Sequence, residues 1–257
     1  MSEKLDRLES ALKEMKCVAV AYSGGVDSTF LLYEAQKVLG KNAVGILNIS
    51  PINSIRATQS ARDTAKSIGA DIIEISVINN KLKMNPRDRC YICKKSMMLE
   101  IKKIAEHLGI KYVAEGSIAD DDPSLRPGMK ALEELGVLSP LKDAGLTKKE
   151  IRELSAEAGL ISANYVSGTC LMTRIPFGEE VSDEKLKAIE KAEEVLFSLG
   201  IFNQRVRCHE NLARIEVPGD LLEKVIAHCE YISCEFKKLG FKYICLDLEG
   251  YRPGSMD

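Results

Sequence analysis

Short apolar runs alternate with longer amphipathic stretches through the first half of the chain. The apolar runs predict β-strands over residues 17–22, 43–49, 71–77 and 111–114. Between them, apolar residues at helical spacing predict helices over residues 29–39, 53–68 and 94–108. Gly40, Gly69 and Gly109 each fall where a helix should stop, as a left-handed cap requires. The alternation predicts βαβ units with a parallel sheet, which places this half in the α/β class.

The pattern changes beyond the fourth predicted strand. Acidic residues and prolines between Glu115 and Pro127 predict a long loop. Thr147 and Glu150 have the spacing of a capping box, and they predict the start of a helix that ends near Gly159. We therefore expect the first domain to cover residues 1–178.

A second pattern begins after Gly178. Ser182 is placed to cap a helix that extends to about Leu199. The following residues predict strands over 204–209, 213–217 and 243–248, and a helix over 221–239. This order predicts a small α+β domain at residues 179–257.

Composition excludes several classes of protein. The 257 residues are 45% hydrophobic and 29% charged, as in an ordinary globular protein. The net charge of −2 argues against broad charge-driven binding of nucleic acid, although it leaves room for a local basic patch. No apolar run approaches the ~20 residues of a membrane helix, and the polar start at Met1 to Lys4 does not resemble a signal peptide. We expect a cytoplasmic protein without a membrane partner.

One polar string lies between the first predicted strand and the helix that follows it. The string is Ser23-Gly24-Gly25-Val26-Asp27-Ser28. At such a junction, backbone amides and the helix dipole converge on an anion, and the glycines let phosphate approach the main chain. The two serines add hydroxyl donors, whereas Asp27 suits this place only if Mg²⁺ lies between it and the phosphates. The plain alternative is a strand-to-helix turn that favours Ser, Gly and Asp.

The chain lacks the Walker motif G-x-x-x-x-G-K-S/T and the motif G-x-G-x-x-G. The string at residues 23–28 resembles the PP-loop of the ATP pyrophosphatase family, which includes GMP synthetase, NAD synthetase and tRNA thiolases. The resemblance implies an adenine nucleotide alpha hydrolase-like fold for the first domain. It also implies that the loop holds the β,γ-pyrophosphate of ATP while a substrate oxygen attacks the α-phosphorus. ATP and Mg²⁺ are the implied cofactors, and AMP and pyrophosphate the implied products.

Further strings follow the loop in order along the chain. They are Arg89-Cys90-Tyr91-Ile92-Cys93-Lys94, Gly116-Ser117-Ile118-Ala119-Asp120-Asp121, Arg126-Pro127-Gly128, Ser139-Pro140-Leu141, Ala144-Gly145-Leu146-Thr147-Lys148, Cys170-Leu171-Met172-Thr173-Arg174-Ile175-Pro176, Arg205-Val206-Arg207, Ala213-Arg214-Ile215-Glu216-Val217 and Glu249-Gly250-Tyr251-Arg252-Pro253-Gly254-Ser255-Met256. Together they are similar to the LarE-type sulfur transferases of nickel-pincer nucleotide cofactor synthesis. The resemblance implies that a carboxylate of pyridinium-3,5-biscarboxylic acid mononucleotide becomes a thiocarboxylate through an acyl-adenylate.

Three residues of these strings are further candidates for contacts with the nucleotide. They are Lys94, Gly116 and Asp121. Ile118 departs from the family pattern, because many relatives have a polar residue at this position. This departure weakens the prediction that the loop at residues 116–121 binds ATP.

Eight cysteines in a chain expected in the cytoplasm should stay reduced, and three histidines are too few for a histidine-rich metal centre. Cys90 and Cys93 form a C-x-x-C motif, and Cys170 lies far downstream. Two thiolates at this spacing with a third from elsewhere can hold a metal or a cluster. Zinc in place of a cluster, and three ordinary packed thiols, remain the alternatives.

Two branches of LarE-like enzymes bear on these cysteines. In one branch only the equivalent of Cys170 is present, and it gives up its own sulfur to become dehydroalanine. In the other, three cysteines hold a four-iron four-sulfur (4Fe-4S) cluster, and the iron without a protein ligand carries an extra sulfide. Because this chain has all three, the resemblance implies the cluster branch, with Cys90, Cys93 and Cys170 as metal ligands and, together with Asp27, as catalytic residues.

The other five cysteines have no such motif. Cys17 and Cys245 lie in predicted apolar strands and are expected in the core. Cys208-His209, His228-Cys229 and Cys234 offer an alternative second metal site, although isolated residues at such spacing usually only pack.

Three arginines fall on the two strands predicted at residues 204–217. Arg205 and Arg207 alternate and would face the same side of a strand, and Arg214 lies on the next one. Guanidinium groups suit a phosphate, and the implied acceptor is a mononucleotide. The alternative is a solvated strand face. Glu193 or Glu194 could position these arginines or the substrate.

Rival functions remain within the same family. A PP-loop tRNA thiolase can also use three cysteines, so tRNA stays an alternative partner that a gel shift would test, although no RNA-binding appendage or basic excess is evident. An amidating synthetase would leave the cysteines without a role, and a nucleotide-binding module would not need a loop of this kind.

We also expect a sulfide donor as partner and a homo-oligomer, the latter from the resemblance and from the apolar strand and extended tail at the end of the chain.

Overall fold

The computed structural model of the protein describes residues 2–122, 127–164, 169–252 and 254–256. Arg126 and Pro253 of the strings above, and part of the loop predicted between Glu115 and Pro127, lie outside the described residues. Backbone contacts divide the chain into two compact units. The first comprises Met1–Asn80 and Asp88–Gly168, and the second comprises Lys81–Arg87 and Thr169–Asp257. The domain boundary after residue 178 stays a prediction.

The first unit contains a four-stranded sheet in which all strands are parallel. Its strands are β1 (Val18–Tyr22), β2 (Ala43–Asn48), β3 (Ile72–Ile75) and β4 (Tyr112–Ala114), in the spatial order β3-β2-β1-β4. The prediction of a parallel α/β sheet is therefore confirmed. Each strand is an apolar run, and β1 in the centre is almost completely buried, as a strand covered on both faces must be.

Seven helices accompany this sheet in the described part of the first unit. They are α1 (Ser2–Met15), α2 (Val26–Leu39), α3 (Ile55–Ser67), α4 (Arg89–His107), α5 (Gly128–Leu135), α6 (Pro140–Asp143) and α7 (Lys148–Glu157). Gly69 and Gly109 have the predicted left-handed φ, at 66° and 70°. Gly40 also has a positive φ of 57°, but its ψ of −129° lies outside the left-handed helical region, so the predicted left-handed cap is wrong there. The capping box of Thr147 and Glu150 is also confirmed at the start of α7.

Strand β1 separates two halves of the core. On one face its side chains pack with those of α1, α2 and α7, in a group that includes Leu8, Leu12, Val18, Val20, Phe30 and Ile151. On the other face Ala19 packs with side chains of β2, α4 and β4, among them Ile46, Met98, Ile101 and Val113. Full burial of such a side chain stabilises the fold by about 1.5–3 kcal/mol. Because helices cover both faces, the carboxyl-terminal edge of the sheet is where a ligand is expected.

The second unit contains a three-stranded sheet, in agreement with the prediction of a small α+β domain. Its elements are α8 (Asp183–Ser198), β5 (Arg205–His209), β6 (Leu212–Glu216), α9 (Leu222–Ala227), α10 (Cys229–Lys238) and β7 (Tyr243–Leu246). Strands β5 and β6 are antiparallel, and β7 is parallel to β6. The single helix predicted over residues 221–239 is wrong, because His228 has a non-helical backbone (φ −108°, ψ 17°) and separates α9 from α10.

The two faces of this second sheet differ in chemistry. Val206, Ala213 and Ile215 alternate with charged residues and are buried. The cross-strand register pairs Arg205 with Glu216 and Arg207 with Arg214, so the arginines and the glutamate share the other face. This charged face, made by Arg205, Arg207, Arg214 and Glu216, is the part of the second unit that bears on function.

No helix among the described residues is both long enough and apolar enough to span a membrane.

Candidate functional site

The string at residues 23–28 forms the junction between β1 and α2. Gly25 is the N-cap of α2, with φ −72° and ψ 162°, and no side chain accepts a hydrogen bond at this cap. The side chain of the cap residue therefore accepts no hydrogen bond from the amides of the first helical turn. Together with the positive end of the helix dipole they form a site that suits an anion.

Two hydroxyl groups lie inside this loop. Ser23 Oγ and Ser28 Oγ are 3.0 Å apart, and Ser28 Oγ also accepts from the amide of Ser23 at 3.2 Å. Ser28 Oγ is 3.2 Å from the carbonyl oxygen of Gly25, to which it donates. The hydroxyl groups thus hold the loop closed on itself, and they can rotate toward a phosphate oxygen when one arrives.

Gly24 is required by the packing of the loop. Its φ is +76°, and a Cβ atom at this position would lie 2.5 Å from Cβ of Ala61 on α3. The same helix is tied to the end of β1, because Tyr22 Oη donates to the carbonyl oxygen of Ala61 at 2.8 Å. Only a residue without a side chain lets the loop approach α3 this closely.

Asp27 is held by a lysine from a distant part of the sequence. Lys148 Nζ donates to both carboxylate oxygens of Asp27, at 2.8 and 2.7 Å. The amide of Lys148, at the start of α7, donates in turn to Asp120 at 3.0 Å. Lys148 places a positive charge beside the loop, and sequence reasoning missed it as a site residue. The signal that could have found it was its place in the quoted string Ala144–Lys148.

Gly116 lies against the loop, as expected of a nucleotide-site residue. A Cβ atom on Gly116 would be 2.9 Å from the amide nitrogen of Ser28. The preceding residue, Glu115, is buried and accepts from the amide of Ser117 at 2.9 Å and from Ser139 Oγ at 2.7 Å. Lys94 Nζ lies 3.7 Å from Glu115 Oε2. Glu115 therefore connects Lys94 to the end of β4 beside the loop. Glu115 was not predicted from the sequence as a site residue.

Asp121 closes a local turn in the same segment. Its Oδ2 accepts from the amide of Ile118 at 3.1 Å, and Asp121 itself is largely buried. Ile118 is only 3% exposed and belongs to the hydrophobic core. An apolar side chain fits at that position because it packs inward, and the contact of Asp121 with a nucleotide stays a prediction.

Cys90 and Cys93 lie in the first two turns of α4. Residues three apart on a helix share a face, so both thiols are on the same side of α4. Cys90 is exposed and Cys93 is partly buried. Two thiols on one helical face match the donor chemistry of a thiolate-bound metal or cluster.

Cys170 belongs to the second unit and is a partly buried cysteine. It precedes the 3₁₀ turn Leu171–Arg174. No group of three or more Cys, His, Asp or Glu side chains that could hold a metal ion occurs within the described residues. The alternative second metal site and the ligand roles of Cys90, Cys93 and Cys170 therefore both stay predictions.

Arg174 holds the backbone around Cys170. Its Nη1 donates to the carbonyl oxygens of Thr169 and Cys170 at 3.1 and 3.2 Å. Its Nε and Nη2 donate to the two carboxylate oxygens of Glu193 at 2.8 and 3.1 Å. Glu193, proposed from sequence to position an arginine, thus pairs with Arg174, and it also accepts from the amide of Val206. Arg174 was missed because nothing in the sequence separates a buried arginine from an exposed one.

Two of the three predicted arginines are engaged by one buried carboxylate. Arg207 donates to Glu216 Oε2 from Nε at 2.9 Å and from Nη2 at 2.7 Å. Arg214 donates to Glu216 Oε1 at 2.8 Å, and its Nε lies 3.5 Å from Asp247. Burial works to raise the pKa of Glu216, but hydrogen bonds and charge from Arg207, with those of Arg214, outweigh burial and lower it. Glu216 is therefore ionised, and the carboxylates of Glu216 and Asp247 match the two positive charges of Arg207 and Arg214.

Arg205 differs from the other two arginines. It is half-buried, donates to the carbonyl oxygen of Gln204 at 2.7 Å, and forms no ion pair with a carboxylate in the described part of the chain. Burial lowers the pKa of Arg205, the nearby charge of Arg174 lowers it further, and the charge of Glu193 opposes both. A partly desolvated cation without a direct ion pair is the best candidate on this face for binding an anion.

The remaining cysteines correct one expectation. Cys245 is exposed, so its predicted place in the core is wrong, because β7 lies at the edge of its sheet. Cys17 is partly buried, just before β1. Burial raises the pKa of the Cys208 thiol, which makes Cys208 an unreactive core residue.

Comparisons with known proteins show which sequences the chain resembles. No protein-family model matches the chain. The chain is 33% identical over 261 residues to the pyridinium-3,5-bisthiocarboxylic acid mononucleotide synthase of Lactiplantibacillus plantarum, a match that covers 100% of this chain and 95% of that protein. It is 36% identical over 262 residues to an uncharacterised protein of Synechocystis sp., covering 100% of this chain and 98% of that one. A glutamine-hydrolysing GMP synthase subunit of Methanothermobacter thermautotrophicus is 24% identical over 214 residues, covering 76% of this chain and 67% of that subunit.

Proposed function

Because the chain belongs to the LarE-type family of pyridinium-3,5-bisthiocarboxylic acid mononucleotide synthases, we propose that it is an ATP-dependent sulfur transferase. Its proposed acceptor is pyridinium-3,5-biscarboxylic acid mononucleotide, of which it converts a carboxylate to a thiocarboxylate. The observation that carries the proposal is the loop at residues 23–28 on the amino end of α2, with Asp27 beside Lys148. The similarity to a GMP synthase subunit supports a PP-loop fold and ATP as the activating substrate.

In the proposed reaction the loop binds the β- and γ-phosphates of ATP. The amides at the start of α2 and the hydroxyl groups of Ser23 and Ser28 would donate to their oxygens. An oxygen of the acceptor carboxylate attacks the α-phosphorus, and the bond to the bridging oxygen breaks, so that pyrophosphate leaves. Sulfide then attacks the carbonyl carbon of the acyl-adenylate, and AMP leaves with the original carboxylate oxygen. The first step turns the carboxylate oxygen, a poor leaving group, into part of AMP, a good one, and the second step uses that leaving group.

Magnesium fits the loop through Asp27. Its carboxylate is partly exposed and already has a cation beside it, the ammonium group of Lys148. Mg²⁺ prefers carboxylate and phosphate oxygens and would neutralise their mutual repulsion. Asp27 would hold the ion, and Lys148 would then neutralise phosphate charge from the same side of the loop.

The three cysteines are proposed to hold the 4Fe-4S cluster. Cys90 and Cys93 would act as two adjacent ligands on one face of α4, and Cys170 as the third. When bound, the cluster would supply the sulfide that replaces oxygen. Arg174, which is held by Glu193, donates to the carbonyl oxygen of Cys170 and fixes the backbone at that residue. Cys170 would therefore lose less conformational freedom when its thiol binds the cluster.

Arg205 is proposed to bind the phosphate of the acceptor. Arg205→Ala should weaken acceptor binding by roughly 1.5–3 kcal/mol, the scale of a charge-assisted hydrogen bond, and should leave ATP binding unchanged. Lys238→Ala is the control, because this exposed lysine of α10 pairs with Glu235 and lies outside the charged face. Isothermal titration with each ligand measures both effects.

Replacement of Arg207 or Arg214 is less suitable for this test than replacement of Arg205. Loss of either arginine leaves the buried carboxylate of Glu216 with only one of its two arginine partners. Loss of a partner from a buried pair costs about 3–5 kcal/mol of stability. If Arg205→Ala binds the acceptor as tightly as the control, the phosphate does not bind at this face.

The test of the proposed function is the identity of the nucleotide products. Anaerobic incubation with ATP, acceptor and sulfide should yield AMP, pyrophosphate and thiocarboxylate, in equal amounts and only when the acceptor is present. Liquid chromatography with mass spectrometry detects all three. ADP and orthophosphate as products would overturn the assignment.

Amidation is the second candidate, and the similarity to a GMP synthase subunit favours it. The loop would work in the same way, with ammonia in place of sulfide as the nucleophile. Replacing sulfide by ammonium in the product assay separates the two: an amide product at a faster rate than the thiocarboxylate would favour the synthetase.

A further inference from the structure

The carboxyl-terminal segment, described at residues 249–252 and 254–256, has no role in the proposed function, yet it packs on the charged face of the small sheet. The amide of Tyr251 donates to the carbonyl oxygen of Val217 at 2.8 Å, and the amide of Gly250 donates to that of Asp247 at 3.1 Å. Gly250 has a φ of +69°, and a Cβ atom there would lie 2.7 Å from the oxygen of Val217. A glycine is therefore needed for the segment to turn back over the sheet.

Tyr251 covers one side of the Arg205 guanidinium group. The Cζ atom of Arg205 lies 4.8 Å from the centre of the Tyr251 ring. Such a contact attracts the guanidinium to the face of the ring and restricts the movement of the arginine side chain. Of the five N–H donors of Arg205, one is used by the carbonyl oxygen of Gln204. Tyr251 therefore orients the one arginine of this face that has no carboxylate partner in the described residues.

Ser255 joins the same face through the buried ion pair. It accepts from Arg207 Nη2 at 3.0 Å, and its hydroxyl oxygen is 3.1 Å from each carboxylate oxygen of Glu216. A hydroxyl has one proton, so it donates to one of these oxygens at a time. Met256 adds a contact, because its sulfur lies 3.5 Å from Arg214 Nη2. The segment thus contacts all three arginines of the face.

The ion pairs of this face leave one arginine for an anion. Within the described residues, Arg174, Arg207 and Arg214 pair with the carboxylates of Glu193, Glu216 and Asp247. Arg205 has no direct ion pair among these residues, and the charge of Glu193 acts on it only from a longer distance. A partly buried cation without a direct ion pair costs free energy unless a ligand neutralises it.

We infer that the carboxyl-terminal segment forms one wall of the acceptor's phosphate site, in which Tyr251 positions Arg205 and Ser255 fixes the neighbouring ion pair for a phosphate monoester. This inference deepens the proposed function and rests on it, because Arg205 is the proposed phosphate ligand. Tyr251 and Ser255 are positioning residues: they act through arginines. Replacement of Tyr251 or Ser255 should therefore reduce the part of the acceptor's affinity that comes from its phosphate. The affinity that comes from the rest of the acceptor should not change.

The experiment compares two ligands that differ only in the phosphate, pyridinium-3,5-biscarboxylic acid mononucleotide and its dephosphorylated nucleoside. Titrations use the full-length protein and the variants Tyr251→Leu, Tyr251→Phe, Ser255→Ala and Arg205→Ala, with ATP binding and thermal melting as controls for folding. Tyr251→Leu should weaken mononucleotide binding roughly 3- to 30-fold, the range of a lost cation–π contact, whereas Tyr251→Phe keeps the ring and should stay within about twofold of the unchanged protein. Nucleoside binding should not change in either variant.

The outcomes separate this inference from the proposed function. If Arg205→Ala binds the mononucleotide normally, the proposed phosphate site is wrong and the wall has no role in it. If Arg205→Ala loses the mononucleotide while Tyr251→Leu and Ser255→Ala bind it normally, the segment is not part of the site. Equal weakening of mononucleotide and nucleoside in Tyr251→Leu would also overturn the inference, because the ring would then act on the shape of the site and not on the phosphate.

Discussion

A Cys170→Ala variant is expected to lose sulfur transfer completely and to keep the adenylylation of the acceptor. Adenylylation needs the loop at residues 23–28, which lies in the other compact unit, whereas Cys170 is proposed to hold the sulfur source. The carbonyl oxygen of Cys170, which accepts from Arg174, is retained in alanine, so the backbone should keep its conformation. Acceptor-dependent exchange of labelled pyrophosphate into ATP measures the first step, and mass spectrometry of the thiocarboxylate measures the second.

The cluster proposal extends this result to Cys90 and Cys93. Each single replacement by alanine should lower the iron content of anaerobically reconstituted protein and abolish thiocarboxylate formation, because three ligands are needed to retain the cluster while one iron stays open. Cys234→Ala is the matched control, since Cys234 is an exposed free thiol on α10. Replacement of Cys234 should change neither iron content nor activity.

Sacrifice of Cys170 is the competing mechanism, and it leaves a different trace. It predicts one turnover per chain and a loss of roughly 34 Da as the thiol leaves as hydrogen sulfide. Brown, oxygen-sensitive protein that performs several turnovers with added sulfide agrees with the cluster. Reconstituted protein that binds no iron, and that shows the mass loss after one turnover, would overturn the cluster proposal.

Asp27→Ala is expected to remove pyrophosphate release almost entirely, with kcat lowered roughly 10²- to 10³-fold, the usual effect of losing a group that stabilises transition-state charge. Without this carboxylate the loop loses its proposed Mg²⁺ ligand, and Lys148 loses its partner. The protein should stay folded, because a partly exposed ion pair contributes at most about 1 kcal/mol.

Two variants complete this test. Lys148→Ala should lower the rate in the same direction, since the lysine is proposed to bind phosphate charge once Mg²⁺ occupies Asp27. Asp63→Ala, an exposed aspartate on α3 that accepts from Gln59, is the control and should keep full activity. An Asp27→Ala protein that releases pyrophosphate at the rate of this control would show that the loop does not hold the metal.

Much of the fold could be predicted because its signals are local. The strands are continuous apolar runs, and Gly40, Gly69 and Gly109 mark helix ends through a backbone conformation that glycine adopts readily. The capping box of Thr147 and Glu150 is likewise encoded within four positions. The start of α4 was missed, although aspartate, found at the N-cap as Asp88, is a residue type that favours this position. As a result the C-x-x-C motif was not recognised as part of a helix.

The site was harder to predict because its contacts join distant residues. Asp27 and Lys148 are 121 positions apart, and Arg174 reaches Glu193 across 19. Alternation along β5 correctly put Arg205 and Arg207 on one face. The cross-strand register places Glu216 opposite Arg205, and only the side-chain contacts show that Glu216 pairs with Arg207. The three arginines are therefore equivalent in the sequence, whereas the structure distinguishes Arg205.

The central claim is that the acceptor carboxylate is activated as an acyl-adenylate, and the path of one carboxylate oxygen tests it directly. The acceptor is prepared with ¹⁸O in its carboxylate groups and incubated anaerobically with ATP and sulfide in unlabelled water. If the carboxylate attacks the α-phosphorus, each thiocarboxylate formed leaves one labelled oxygen in the phosphate of AMP, which mass spectrometry detects. Labelled orthophosphate together with ADP, or unlabelled AMP alongside labelled pyrophosphate, would contradict the account.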